Sequence, residues 1–249
     1  MTGQFNTQGA TTAGVDLGSF PQPGVAVVFG AGGGVRGALV EAIRAAARFE
    51  HVVAFSRSTS PSIDLLDKVS LERAAAFAAD QDEPRLVIDA TGFLHDDRQG
   101  PEKSWRELDA VNLARAFALN AIGPALIMKH VLPRLPRSGK AVLATLSARV
   151  GSIGDNRLGG GYSYRAPKAA LNQFVRTAAV ELACRSSDAL CIALHPGTAA
   201  TALSAPFAAT GLEVHHPLAA ARYLLADVDQ LTADASGGFF DWRGQPVPW

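Results

Sequence analysis

Val25-Ala-Val-Val-Phe29-Gly30-Ala-Gly-Gly-Gly34-Val-Arg-Gly37-Ala-Leu-Val-Glu-Ala-Ile43 is the stretch from which the fold can be read. Five apolar residues in a row make a short buried strand, and Ala38, Leu39, Val40, Ala42 and Ile43 repeat at helical spacing. Between them lies a glycine-rich loop. Strand, glycine loop and helix in that order form the first unit of a dinucleotide-binding fold. There, backbone N–H groups at the helix N-terminus face a pyrophosphate, and glycine lets it come close. The loop has two registers: Gly30 with Gly34 from the strand end, or Gly32, Gly34 and Gly37 displaced from it. The first places Gly30, Gly32, Gly33, Gly34 and Val35 against the cofactor.

Further apolar runs continue the alternation. His51 to Phe55 is a second strand, followed by Arg57, where a guanidinium would accommodate a 2′-phosphate. Ser62 to Leu65 reads as a short third strand with Asp64 in reach of an adenine or, alternatively, as a turn aspartate. Leu71 to Ala79 is helical, and Arg85 to Asp89 is the next strand, ending in Ala90-Thr91-Gly92. Leu108 to His130 is a long helical pattern interrupted at Asn120 and Gly123-Pro124. A mid-helix asparagine is there either to cap a bend or to hold a water. Ala141 to Leu146 and Ala189 to Leu194 are buried strands, leaving through Ser147 to Ser152 and through His195-Pro196-Gly197-Thr198 to Thr201. Ala202 to Pro217 is long enough for a lid, Leu218 to Ala226 is a last helix, and Gly238 to Trp242 a last strand. The expectation is an α/β fold, a single doubly wound, Rossmann-like parallel sheet with helices on both faces. Residues 1–24, rich in Gly, Thr, Gln, Ser and Pro, are expected to be a flexible tail, and residues 25–249 a single dinucleotide-binding domain.

Composition narrows the function. The 249 residues carry 23 Lys and Arg against 23 Asp and Glu, which leaves no basic surplus for a nucleic acid backbone. No apolar run reads as a membrane span or signal peptide, and Cys184 and Cys191 form no metal-binding motif, so a cytoplasmic protein without membrane partner or metal is expected. His95, Asp96 and Asp97 read as a solvated loop rather than a metal site.

Tyr162-Ser-Tyr164-Arg-Ala-Pro-Lys168 heads another periodic helix, with Leu171, Phe174, Val175, Ala178 and Leu182 on its apolar stripe. Tyr164 and Lys168, at i and i+4, share one face. A lysine beside a phenol favours phenolate and should bring it towards neutral pH, which suits a group that gives and takes protons. Any long helix supplies such a pair by chance; here it follows a strand exit at the ligand edge of the sheet.

From about Val25 to Trp249 the chain resembles the short-chain dehydrogenase/reductase family, and in Ser147 to Gly154 and His195 to Phe207 its C-factor-like branch. The matching marks are Gly30/Gly34, Asp64, Ala90-Thr91-Gly92, Asn120 with Gly123-Pro124, the serine-bearing exit, Tyr164/Lys168, and Pro196-Gly197 with Thr201. The resemblance implies an NADP-dependent oxidoreductase, with NAD as the alternative cofactor. It would reduce a small-molecule carbonyl or oxidise a secondary alcohol, and would be a homodimer or homotetramer. It also implies roles: Tyr164 as acid and base, Lys168 binding the nicotinamide ribose, Asn120 on a water-linked proton path, and a serine holding the substrate oxygen. Relatives carry two serines at the exit and use the second, which here is Ala148; Ser147 takes the role, with Ser152 as runner-up. Phe29 replaces a usual threonine, and Arg36 stands at the third glycine position, so its side chain must avoid the helix–strand contact or meet the cofactor phosphates. The other class of function implied is a dinucleotide-binding signalling or scaffold protein with little or no turnover.

Overall fold

A computed structural model describes residues 14–201 and 214–249. Six parallel strands form one sheet in the order β2-β1-β3-β4-β5-β8. They are β1 Val25–Phe29, β2 His51–Phe55, β3 Pro84–Asp89, β4 Ala141–Leu146, β5 Ala189–His195 and β8 Phe239–Asp241. The helices are α1 Gly34–Ala45, α2 Lys68–Gln81, α3 Ala110–Phe117, α4 Gly123–Val131, α5 Tyr162–Ala183 and α6 Pro217–Gln230. A small two-stranded pairing of Thr198–Ala199 with Val214–His215, β6 and β7, follows β5. Strand order reverses at β1, so the exits of β1 and β3 part there and open a crevice, the usual ligand site of such sheets.

Because the sheet is parallel and covered on both faces, its strands are continuous apolar runs rather than alternating ones. Val25, Val27 and Phe29 pack with α2, α4 and α5, whereas Ala26 and Val28 face α1 and α6. Helices therefore lie on both faces of a doubly wound sheet, as expected.

Two expectations need correction. The loose tail does not reach Gly24: among the described residues, Leu17 and Phe20 have no exposed surface and sit in the α1/α6 core. Phe20 meets Phe49 edge-on at 5.5 Å, and Ser19 bonds Asp229 of α6. These apolar residues are anchored by distant elements, a contact that local composition does not report. The strand expected at Ser62 to Leu65 is absent; Ile63 N–H bonds Ser56 O, and Asp64 turns the chain by accepting from Leu66 N–H at 2.9 Å. The helix expected from Tyr162 is α5, which begins at Tyr162 and holds Pro167 inside it. Of the stretch read as a lid, residues 202–213 lie outside the described residues, while Val214–His215 is β7 and Pro217 opens α6.

Candidate active site

A cavity of about 990 Å³ opens at the carboxyl ends of the strands. Its wall brings together Gly32, Gly33, Gly34, Val35, Ala90, Thr91, Gly92, Ser147, Tyr164, Lys168, Pro196, Gly197, Thr198 and Thr201. Gly30, Arg57, Asp64 and Asn120 stand outside that lining. Gly30, at φ 85°, packs behind it: a Cβ there would lie 3.1 Å from Ala90 backbone and from the Thr91 methyl. At Gly32 and Gly33 a Cβ would meet nothing within 4 Å, so the loop faces open space. No side chain caps α1 and no acidic residue occupies its first turn, which leaves its positive end to an anion. Loop, helix end and space fit a dinucleotide pyrophosphate.

Arg36, in the first turn of α1, lines the same cavity and donates to Gly92 O at 3.3 Å. Burial lowers its pKa, against the pull of Asp89 and Tyr164, and Arg57 nearby adds to the lowering. Two guanidiniums therefore stand close at this end, Arg57 exposed at the exit of β2. Asp64, by contrast, is an exposed turn residue and not part of the wall, which is the alternative its sequence left open.

The start of α5 is held by a residue that the sequence did not single out. Glu102, buried, accepts from the N–H and the hydroxyl of Ser163, both at 3.0 Å, and the helix is entered through Gly159, Gly160 and Gly161 at φ 66°, 65° and 58°. All three have left-handed backbone, which glycine adopts without steric cost. This places Tyr164 and Lys168 in the wall. Burial pushes the Tyr164 hydroxyl up to about 12, with Arg36 the charge that opposes it. The expected depression by Lys168 is thus not seen, because Lys168 is itself buried and turned to Leu146 O at 2.8 Å, its ammonium 5.9 Å from the tyrosine ring centroid. Burial holds Lys168 down at about 8, with Asp89 opposing.

Asn120 is fully buried in a π-turn, Ala118–Ile122, between α3 and α4. Its Oδ1 accepts from Phe93 N–H at 2.9 Å, and its Nδ2 donates to Phe93 O at 2.8 Å and Ala116 O at 3.1 Å. The side chain is a clasp on the exit of β3. Gly92, at φ 157°, fits between it and Lys168: an added Cβ would lie 3.3 Å from Asn120 Oδ1 and 3.6 Å from Lys168 Nζ.

Of the two serines, Ser147 lines the cavity, whereas Ser152 accepts from Asp155 N–H at 3.1 Å and does not. The Ser147 hydroxyl donates to Asn172 Oδ1 of α5 at 2.7 Å, so its proton is engaged within the protein. His195 stands on the neighbouring strand in the same wall, its Nδ1 buried and unpartnered; burial pulls it down to about 4, which keeps it neutral near pH 7. Asp89 ties the floor together, accepting from Thr91 N–H and Oγ1 and from Thr145 Oγ1. His195 and Asp89 were legible only as strand ends. In the His95 to Asp97 loop, Asp96 pairs with Arg115 at 2.7 Å and accepts from the N–H groups of Arg98 and Gln99, while His95 lines the cavity.

Residues 31–223 match the family model described as enoyl-(acyl carrier protein) reductase. The chain is 35% identical over 143 residues to C-signal of Myxococcus xanthus, covering 57% of this chain and 82% of that one. It is 32% identical over 197 residues to 1-hydroxy-2-glutathionyl-2-methyl-3-butene dehydrogenase of Rhodococcus sp. (strain AD45), covering 77% and 80%. The structure of NADPH-bound carbonyl reductase from chicken fatty liver has the same fold, with a TM-score of 0.77 at 23% identity, covering 96% of this chain and all of that one. The family model spans well over half of the chain, and this chain belongs to the short-chain dehydrogenase/reductase family of NAD(P)-dependent oxidoreductases.

Proposed function

We propose that this protein is an NADPH-dependent carbonyl reductase, with NAD as the lesser cofactor, that also oxidises the matching secondary alcohol. The observation that carries this reading is one cavity holding both the open glycine loop Gly32–Gly34 and the pair Tyr164 and Lys168. When bound, the nicotinamide supplies a hydride for the carbonyl carbon. Tyr164 hydrogen-bonds the substrate oxygen and gives it a proton, or takes the alcohol proton in the reverse direction. Arg36 favours the phenolate left behind, and Lys168 holds the nicotinamide ribose. Gly32 to Val35, Ala90 to Gly92, Pro196 to Thr198 and Thr201 cradle the dinucleotide, Gly30 lets the loop pack on Ala90 and Thr91, and Arg57 takes the 2′-phosphate. Ser147 steadies the substrate oxygen by turning its proton away from Asn172, and Asn120 keeps the β3 exit closed against Lys168.

A protein without turnover is the second reading, favoured by Ala148, which has no hydroxyl to donate, and by the likeness to C-signal. NADPH oxidation against a panel of aldehydes and ketones, beside cofactor calorimetry, separates the two. Turnover on any carbonyl supports the reductase; tight binding with none supports the dinucleotide-binding protein without turnover.

A cytoplasmic homodimer or homotetramer completes the proposal. It is supported by Val111, Ile122, Phe174 and Val180, exposed apolar residues on α3, the π-turn and α5. Ala110–Arg134 is the one described stretch with the length and apolarity of a membrane span. It is broken by the π-turn and packs against α2 and α5. Light scattering on the purified protein reads the assembly directly.

A further inference from the structure

The charges around the cavity are unbalanced. Among the described residues that line it, Arg36, Arg149, Arg157, Arg165 and Lys168 are cationic and Asp155 alone is a carboxylate, in a chain of zero formal net charge. Arg36 and Lys168 belong to the dinucleotide end. The other three arginines stand on the segment after β4 and on the first turn of α5, the side that bears Tyr164. Asp155 answers one of them, pairing with Arg149 Nε at 2.5 Å.

Arg165 and Arg157 have no such partner among the described residues. Arg165, half-buried and next to Tyr164 in the chain, is pinned by two backbone carbonyls: Nε donates to Gly160 O at 2.9 Å and Nη1 to Val150 O at 3.2 Å. These contacts fix the guanidinium plane without neutralising it. Arg157, exposed, donates to its neighbour's carbonyl, Asn156 O, at 3.3 Å. Glu102, the carboxylate that holds the α5 start, is committed to Ser163. Leu94, Leu146, Val150 and Leu158 supply the apolar part of the lining.

An apolar wall with a cationic rim suits a particular kind of substrate. We infer that the substrate is an anionic carbonyl compound: an apolar body with the carbonyl at Tyr164 and a carboxylate or phosphate at its far end, held by Arg165 with Arg157. A guanidinium offers two parallel N–H donors that match the oxygens of either anion, and its partial burial strengthens the pairing over one in open water. The anion is a handle and does not react. The carbonyl carbon gains the hydride of the reduced nicotinamide, its oxygen gains the Tyr164 proton, and solvent restores that proton. The inference rests on the carbonyl-reductase reading above.

The test compares kcat/KM for para-formylbenzoate and para-formylphenyl phosphate with that for the neutral methyl para-formylbenzoate. One anion or both should be preferred by about tenfold or more at low salt, the larger ratio naming carboxylate or phosphate as the handle. The ratio should shrink as salt is raised, fall towards one in Arg165→Met and be partly kept in Arg165→Lys. Calorimetry of para-(hydroxymethyl)benzoate and its methyl ester, with NADP present, reads the same site without turnover. Tighter binding of the acid, lost in Arg165→Met, with no aldehyde reduced, would overturn the reductase reading and leave the anion site standing. Equal kcat/KM for charged and neutral aldehydes, with equal binding of acid and ester, would overturn the inference itself.

Discussion

Tyr164 is the residue on which the chemistry turns, and its environment favours one direction. With its hydroxyl pushed up to about 12 it carries its proton at neutral pH, ready to act as an acid. Alcohol oxidation needs the phenolate, so its rate should climb through the alkaline range while carbonyl reduction stays level until alkaline pH; initial rates in both directions across pH check this. Tyr164→Phe should lower turnover by about two to four orders of magnitude with cofactor binding nearly intact, whereas Tyr162→Phe should stay close to wild type. In the proposed reading Arg57 takes the 2′-phosphate, so Arg57→Ala should remove an NADPH preference of about 1.5 to 3 kcal/mol, read by calorimetry with both dinucleotides. For Ser147 the hydroxyl must be exchanged from Asn172 to substrate, which reduces its net benefit. Ser147→Ala should therefore raise the barrier by about 1 to 3 kcal/mol, and Ser152→Ala should leave turnover unchanged. Full activity in Ser147→Ala would show that the hydroxyl stays on Asn172.

The element that matters most is α5, which carries Tyr164 and Lys168 in its first two turns. Its opening is fixed from outside, by Glu102 on Ser163 and by the backbone bond from Gly161 N–H to Glu102 O at 2.5 Å. A buried carboxylate at a helix N-terminus satisfies free N–H groups and meets the positive end of the helix dipole. Glu102→Ala should cost about 1 to 2 kcal/mol in denaturant unfolding and lower kcat as the opening turn loosens, with Glu102→Gln retaining part of both. An unchanged unfolding midpoint would show that the glycine run alone sets the helix start. Nothing in the local sequence marked this contact, because Glu102 is 61 residues from Ser163.

At the scale of the molecule, the sheet separates two cores, and the one on the α1/α6 face is completed by the N-terminal segment. Phe20 packs on Phe49, its carbonyl accepts from Arg48, and the Lys140 ammonium lies 5.1 Å from its ring centroid. Lys140 also donates to the carbonyls of Val228, Asp229 and Leu231, where a cation offsets the negative end of α6. Phe20→Ala should cost about 3 to 5 kcal/mol, the range for emptying a buried aromatic site, measured by urea unfolding. A loss near zero would mean that the segment is only laid on the surface.

The sequence alone determined the sheet strands, the glycine loop and the Tyr164/Lys168 face, since each depends on neighbours within a few residues: apolar runs, left-handed glycines and the helical repeat. It also marked Asn120 and Arg36 as unusual without saying what they touch. The tertiary structure decided the rest. Burial, a property of the whole packing, raised the Tyr164 hydroxyl where a local lysine suggested the reverse. Long-range hydrogen bonds assigned Asn120 to Phe93, Ser147 to Asn172 and Glu102 to Ser163. Packing turned the segment after β4 and the first turn of α5, with Arg149, Arg157 and Arg165, onto one cavity, a charge imbalance that a chain with equal numbers of acids and bases conceals until it is folded.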